Sequence, residues 1–345
     1  MNVVFCSSDM YAKCTGIAVY SLLKNNKDLD QLEVYVLTTD MSKDHQQMLV
    51  DMCTEFNRKI TVIEALETLE QAQKDLNLVD FKGGLNTYAR AMANKFMPPE
   101  VKTALFLDSD LMITGSLAKL ETLDMSQYIV AGVYEIAVMI ADLCYENLNL
   151  LNQCPHYINY GVAYINLENW RRLDGDEMIR RCVAAADEPF RIAEQSILNL
   201  AFKDYTKILP VKYNYSTVLH GIPYECICKW YQRKKVFPEE EYTEAAAHPI
   251  IVHFIGDYFN RPWYEDNICR YKDKYMRLYK ESPWGKESLQ PKPDNISVFF
   301  RVYYRILIYL RKNHHDTAYF KLRYRWIQWL REHIPDMDKK IKRRG

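Results

Sequence analysis

The sequence predicts a layered α/β fold followed by a basic, aromatic-rich helical extension. Three observations carry this. Over roughly the first 130 residues, short apolar runs alternate with segments of helical period, the pattern of a sheet covered by helices. One of those runs, Thr103–Leu107, passes directly into Asp108-Ser109-Asp110. Beyond Trp263 the composition turns basic and aromatic. At 345 residues and 48% apolar, the chain can bury a sizeable core, either as one large α/β unit with an appendage or as two compact units.

Taken in order, Val3–Cys6 reads as a first strand and Tyr11–Lys24 as a helix. Gln31–Leu37 is a second strand, with Leu32, Val34 and Val36 in alternation. Ser42 can cap a helix whose apolar stripe is Met48, Leu49, Met52 and Phe56. Ile60–Ile63 is a short strand, and Lys82-Gly83-Gly84 reads as a turn. Asn86–Phe96 is predicted helical up to Pro98-Pro99, which cannot continue it. Further strands are expected at Gly161–Leu167 and Ile250–Phe254, with helices at Glu168–Ala186 and Ala193–Phe202. Pro283, Pro291 and Pro293 punctuate a linker to two last helices, Val298–Lys312 and Thr317–Glu332.

Charge divides the chain. Lys+Arg and Asp+Glu balance at 45 each, but from Arg270 onward there are 20 basic and 8 acidic residues, so the remainder is acidic by the same margin. No nucleic-acid module accompanies the basic segment, and no nucleic-acid partner is expected. The 11 glycines form neither a dinucleotide fingerprint nor a P-loop, so any nucleotide must be held another way. Nine cysteines without a C-x-x-C pair suit a reducing compartment, and the lone Cys226-x-Cys228 is a weak metal signal. Met1-Asn2-Val3-Val4-Phe5 does not read as a signal peptide, and no window reaches the ~20 apolar residues of a membrane span. A cytoplasmic location is expected.

Two carboxylates at the carboxyl edge of a buried strand lie where open α/β sheets place ligands, and their mutual repulsion calls for a cation. Oxygen ligands of this kind suit Mg²⁺ or Mn²⁺. Asp108 and Asp110 could equally be solvated turn residues. Far along the chain, His253 ends an apolar run and can complete an Asp/Asp/His set, or serve as a structural imidazole. Arg261 can pair bidentately with a diphosphate, while Arg261-Pro262-Trp263 can also be a plain turn anchored by a buried Trp.

In its motifs the sequence resembles glycosyltransferase family 8, retaining, metal-dependent nucleotide-sugar transferases that include glycogenin and bacterial lipopolysaccharide glucosyl- and galactosyltransferases. Six collinear segments carry the resemblance over about residues 1–265: Val3-Val4-Phe5 with Asp9-x-Tyr11 and Ser21-Leu22-Leu23; Tyr88-Ala89-Arg90; Leu107-Asp108-Ser109-Asp110; Asn159-Tyr160-Gly161-Val162 with Ile165-Asn166-Leu167 and Trp170-Arg171; Glu194-Gln195 with Leu198-Asn199; and His253…Gly256…Pro262-Trp263.

The resemblance implies a GT-A fold over residues 1–265, a Rossmann-like, mostly parallel mixed sheet, with residues 266–345 as the helical appendage. It implies Asp108, Asp110 and His253 as ligands of Mn²⁺ (or Mg²⁺). Ser7, Asp9, Tyr11, Arg90, Ser109, Gly256 and Arg261 join Asp108 as donor-binding residues for a UDP-sugar, UDP-glucose or UDP-galactose. Asn159, Glu194 and Gln195 are implied at the reacting sugar, and the acceptor is a glycan or glycolipid, as in lipopolysaccharide or cell-surface polysaccharide synthesis.

The sequence departs from the family pattern at Ser8-Asp9-Met10-Tyr11 and at Glu194-Gln195-Ser196, where Ser196 replaces an acid. Glu135 stands for a sheet-edge Asp, and Arg261-Pro262-Trp263 lies two residues further from Gly256 than usual. Gln195 is a poor nucleophile and Ser196 lacks an evident base, so front-face displacement is favoured over a covalent intermediate. A catalytically silent nucleotide-sugar- or glycan-binding protein and a glycogenin-like self-glycosylating enzyme are the alternative readings. The C-terminal helices mix Arg301, Arg305 and Lys312 with aromatic residues. They are expected either to lie on an anionic membrane surface at its inner face or to pack on the catalytic unit.

Overall fold

A computed structural model describes residues 1–78, 85–135, 153–186, 193–231, 237–292 and 298–333. The expected turn at Lys82-Gly83-Gly84 and the linker residue Pro293 lie outside these. A seven-stranded sheet forms the body. Its strands are β1 (Asn2–Ser7), β2 (Glu33–Thr38), β3 (Lys59–Glu64), β4 (Thr103–Leu107), β6 (Val130–Tyr134), β7 (Ile158–Asn166) and β8 (Thr206–Ile208), in the spatial order β3-β2-β1-β4-β7-β6-β8. A small sheet of β5 (Leu111–Ile113), β10 (Ile251–His253) and β9 (Tyr215–Ser216) stands beside it.

The pairings β1·β2, β1·β4, β2·β3 and β6·β8 are parallel, and only β7 runs against its two neighbours. A strand buried on both faces reads as a continuous apolar run rather than an alternating one. Accordingly, all nine residues of β7 are buried. Successive side chains of the central strands enter opposite layers: Val3, Phe5, Leu105 and Leu107 one core, and Val4, Ala104 and Phe106 the other.

Two predicted helices differ in form. The stretch Asn86–Met92 is a 3₁₀ helix followed by one α turn, Ala93–Phe96. Its residues Tyr88 to Met92 are all buried, so no amphipathic face directs a longer α-helix. The helix expected over Glu168–Ala186 is two, Leu167–Arg172 and Gly175–Ala184. Asp174 is left-handed, with φ +56°, and a Cβ on Gly175 would lie 2.7 Å from the Trp170 ring, so the chain breaks where the buried indole needs room.

The last region shares the first core. Trp284 is fully buried against the helix Ala12–Asn25, and a Cβ on Gly16 would come within 2.1 Å of its ring. Helices Val298–Lys312 and Asp316–His333 form a hairpin whose Leu307 and Tyr319 join the core of Phe254, Phe259 and Tyr275. Arg311, buried in this hairpin, pairs with Asp316 at 2.6 Å and donates to the carbonyls of His220 and Thr217. Among the described residues, no helix is long and apolar enough to cross a membrane.

Candidate active site

The site grows from strand ends. The register of β4 against β7 pairs Leu107 with Val162, and the Asp108 amide donates to the carbonyl of Gly161 at 2.9 Å. The antiparallel register of β10 on β5 sets His253 opposite Leu111, while the Phe254 amide bonds the Asp110 carbonyl. Residues 143 positions apart are thus fixed side by side by backbone pairing. His253 Nε2 lies 3.1 Å from Asp110 Oδ1 and 3.7 Å from Asp108 Oδ2. Among the described residues, these three form the one group of acids, imidazoles or thiols whose ligand atoms gather this closely, all within 4.8 Å.

The donor set fits a divalent cation. His253 Nδ1 lies 2.9 Å from Asn214 Oδ1, an acceptor, so Nδ1 carries the proton and Nε2 faces the two carboxylates. Asn214 Nδ2 donates to Asn159 Oδ1 at 2.8 Å, and Asn159 Nδ2 donates to Glu135 Oε2. Gln195 Nε2 reaches the same carboxylate oxygen at 3.3 Å, while its Oε1 accepts from the Tyr160 amide. One oriented chain of hydrogen bonds therefore runs from the imidazole to Glu135. Gly161 forms the floor: a Cβ there would lie 2.4 Å from His253 Cε1 and 2.6 Å from Asp108 Oδ2. No other residue leaves that space.

A second network leads from Asp108. Arg90, 3% exposed, donates to Asp108 Oδ1 at 2.6 Å and to Glu194 Oε1 at 3.2 Å, and Thr87 donates to Glu194 Oε2. Residues i and i+3 align in a 3₁₀ helix, which is why Thr87 and Arg90 reach one carboxylate together. Burial pushes Glu194 up to about 7, against the pull of the Arg90 guanidinium and the Thr87 hydroxyl. At His253 burial disfavours the imidazolium, but Asp110, Asp108 and Glu135 outweigh it and hold the ring above its usual range. Asp110 is held below its usual range, because His253 and Arg261 outweigh its burial.

Other expected residues take different places. Ser7 is buried, its Oγ 2.6 Å from Thr15 Oγ1, which lies 2.8 Å from Ser109 Oγ; Ser109 donates to the carbonyl of Cys6. This hydroxyl chain ties β1 to the acidic turn from behind. Asp9 faces outward, accepting from the Ser42 amide at 2.8 Å and lying 2.7 Å from His45 Nδ1. The Ser42 amide and His45 lower its pKa. Tyr11 is exposed beside it. Arg261 Nη2 lies 3.9 Å from Asp110 Oδ2, Nε donates to the carbonyl of Gly256, and the guanidinium stacks over Trp263. Gly256 has φ +113°, which favours glycine.

Asn214 and Thr87 are site residues that sequence reasoning missed. The available signal for Asn214 was an amide set between two tyrosines, Tyr213 and Tyr215. Thr87 carried none.

Comparison with known proteins decides the family. The sequence model described as "Glycosyl transferase family 8" matches residues 2–267. The chain belongs to glycosyl transferase family 8. It is 26% identical over 297 residues to a lipopolysaccharide 1,2-glucosyltransferase of Escherichia coli, covering 82% of this chain and 79% of that one. General stress protein A of Bacillus subtilis (strain 168) is 24% identical, covering 83% and 95%. Among solved structures, the bifunctional glycosyltransferase WbbM superposes with TM-score 0.67 at 19% identity, over 83% of this chain and half of that protein. The galactosyltransferase LgtC, in complex with donor and acceptor sugar analogs, superposes with TM-score 0.63 at 17% identity, over 88% and 99%. The fold is GT-A, and the chain is a family 8 glycosyltransferase.

Proposed function

We propose that this glycosyltransferase moves a hexose, glucose or galactose, from UDP to a hydroxyl of a glycan or glycolipid, with retention of configuration and with Mn²⁺ or Mg²⁺ held by Asp108, Asp110 and His253. The observation that carries this reading is the meeting of two acids and one imidazole, its Nε2 turned inward by Asn214, at a sheet edge beside Arg261. The lipopolysaccharide glucosyltransferase relatives support a hexose donor and a cell-surface glycan acceptor.

A divalent cation at this site supplies charge that stabilises the departing diphosphate. The protein's own groups do the rest. Arg261 adds a planar cation on the diphosphate side, a contribution of the type worth about 3 kcal/mol in comparable sites. Arg90, buried and bonded to both Asp108 and Glu194, holds the Asp108 carboxylate in place on the donor side of the site. Glu135, Asn159 and Gln195 offer polar groups for the sugar hydroxyls. Glu194 is engaged by Arg90 and Thr87, and Ser196 lies 2.8 Å from the Tyr157 hydroxyl with no base bonded to it among the described residues, which favours front-face displacement.

The test is a screen of UDP-sugars for Mn²⁺-dependent UDP release, with product configuration read by NMR. Asp108→Ala, Asp110→Ala and His253→Ala are each expected to cut release by about 100-fold or more. Wild-type-like release by any of these folded variants overturns the metal assignment.

The hairpin supports a second part of the proposal. Phe299, Val302, Ile306 and Tyr309 form an exposed stripe along one helix face, flanked by Arg301 and Arg305. Such a face suits in-plane contact with an anionic bilayer, placing the enzyme at the inner membrane surface. Flotation with anionic liposomes checks this: Phe299→Ser/Ile306→Ser is expected to stay unbound, and equal flotation of that variant and wild type removes the attachment.

A further inference from the structure

The loop that carries Arg261 is gripped along its length by the C-terminal hairpin. Between Gly256 and Arg261 stand Asp257, Tyr258, Phe259 and Asn260, the last three in a 3₁₀ turn. Each faces the hairpin. Asp257 accepts from Arg323 Nη1, and Asn260 Nδ2 donates to the Tyr319 hydroxyl at 3.3 Å. That hydroxyl accepts from the same Arg323 nitrogen at 3.0 Å, so one guanidinium joins both ends of the turn. Tyr258 and Phe259 meet the Tyr304 ring edge-on, with centroids 5.8 and 5.7 Å apart.

The other side of the loop rests on the 3₁₀ turn Thr217–Leu219, which the hairpin holds through Arg311. Val218 lies under Gly256, Thr217 Oγ1 donates to the Ile255 carbonyl, and the Thr217 carbonyl accepts from buried Arg311. Arg261 in turn closes the loop on itself through the Gly256 carbonyl. The segment has no strand pairing of its own; backbone bonds within its 3₁₀ turn and from the Ile268 amide to the Phe259 carbonyl give it local form, and these contacts set where it sits.

We infer that the hairpin acts as a clamp on the diphosphate side of the site, with Arg323 and Asp257 as positioning residues that set where Arg261 and the Gly256 backbone meet a nucleoside diphosphate. This rests on the UDP-donor reading above. Neither residue needs to touch the nucleotide; both act through Arg261. The acidic side is held by strand register, so a loosened clamp alters diphosphate binding and leaves cation binding intact.

The experiment titrates UDP and, separately, Mn²⁺ into the full-length protein by calorimetry. Arg323→Met and Asp257→Asn, the latter nearly isosteric, are each expected to weaken UDP by about tenfold while Mn²⁺ binds as before. Their combination is expected to lose no more than Arg323→Met alone, because the Arg323–Asp257 contact is already gone in that variant. Arg323→Lys is expected to recover part of the loss, and Arg325→Met, at an exposed position on the same helix, to show none. A folded Arg323→Met or Asp257→Asn that binds UDP like wild type overturns the clamp, as does an equal loss at Arg325→Met. Failure of the wild type itself to bind UDP in the presence of Mn²⁺ overturns the donor reading instead.

Discussion

The acidic and basic sides of the site are held in opposite ways. Asp108, Asp110 and His253 stand at the ends of strands whose register is fixed by backbone pairing, and behind them every amide is oriented by the next. Arg261 stands on a loop outside both sheets that is gripped by side chains from a hairpin at the far end of the sequence. The contrast teaches that strand register holds the acidic side, proposed above to take the cation, whereas the Arg261 side, proposed to meet the diphosphate, leans on a tertiary contact.

Three measurements sharpen or break that contrast. Gly161→Ala strikes the stiff side. Its methyl group has no space beside His253 and Asp108, so Mn²⁺ affinity is expected to fall about 10- to 100-fold by calorimetry. Leu307→Ala strikes the hairpin. Leu307 is fully buried in the shared core, and its truncation is expected to cost about 2–4 kcal/mol in denaturant unfolding. Mn²⁺ affinity should stay within about twofold of wild type, since backbone register rather than the hairpin holds Asp108, Asp110 and His253 together. A loss as large as that of Gly161→Ala would abolish the distinction between the sides.

The smallest effect concerns pH. His220, seated under the hairpin, is held down to about 4, first by burial and then by Arg270 and Arg311. Between pH 6.5, its ordinary value, and about 4 the unfolded chain takes up a proton that the folded chain refuses. The His220 contribution to stability is therefore complete above pH 6.5 and declines as the pH falls toward 4. His220→Gln is expected to flatten that part of the thermal midpoint's pH dependence, and an unchanged slope would move the origin elsewhere.

Much of the sheet was legible because its central strands are continuous apolar runs, as in Val3-Val4-Phe5 and Thr103–Leu107. The short strands Leu111–Ile113 and Tyr215–Ser216 were not, since two or three residues carry no period. Asp108, Asp110 and His253 could be named from residue type and motif, but their meeting depends on the β5–β10 register, which is a long-range pairing. Asn214 and Thr87 stayed hidden for the same reason: an amide or a hydroxyl becomes a site residue only through what faces it. The hairpin's dual character was also beyond local pattern. Its apolar positions fill the core at Leu307 and Tyr319 and face outward at Phe299 and Ile306.

The hydrogen-bond chain from His253 through Asn214 and Asn159 to Glu135 has a polarity: every link donates in one direction. Reversing any single amide would set donor against donor at one neighbour and acceptor against acceptor at the other. Replacing Glu135, proposed above to face the sugar, therefore inherits a constraint from the imidazole two amides away, and compatible replacements will have to be selected as a set rather than singly.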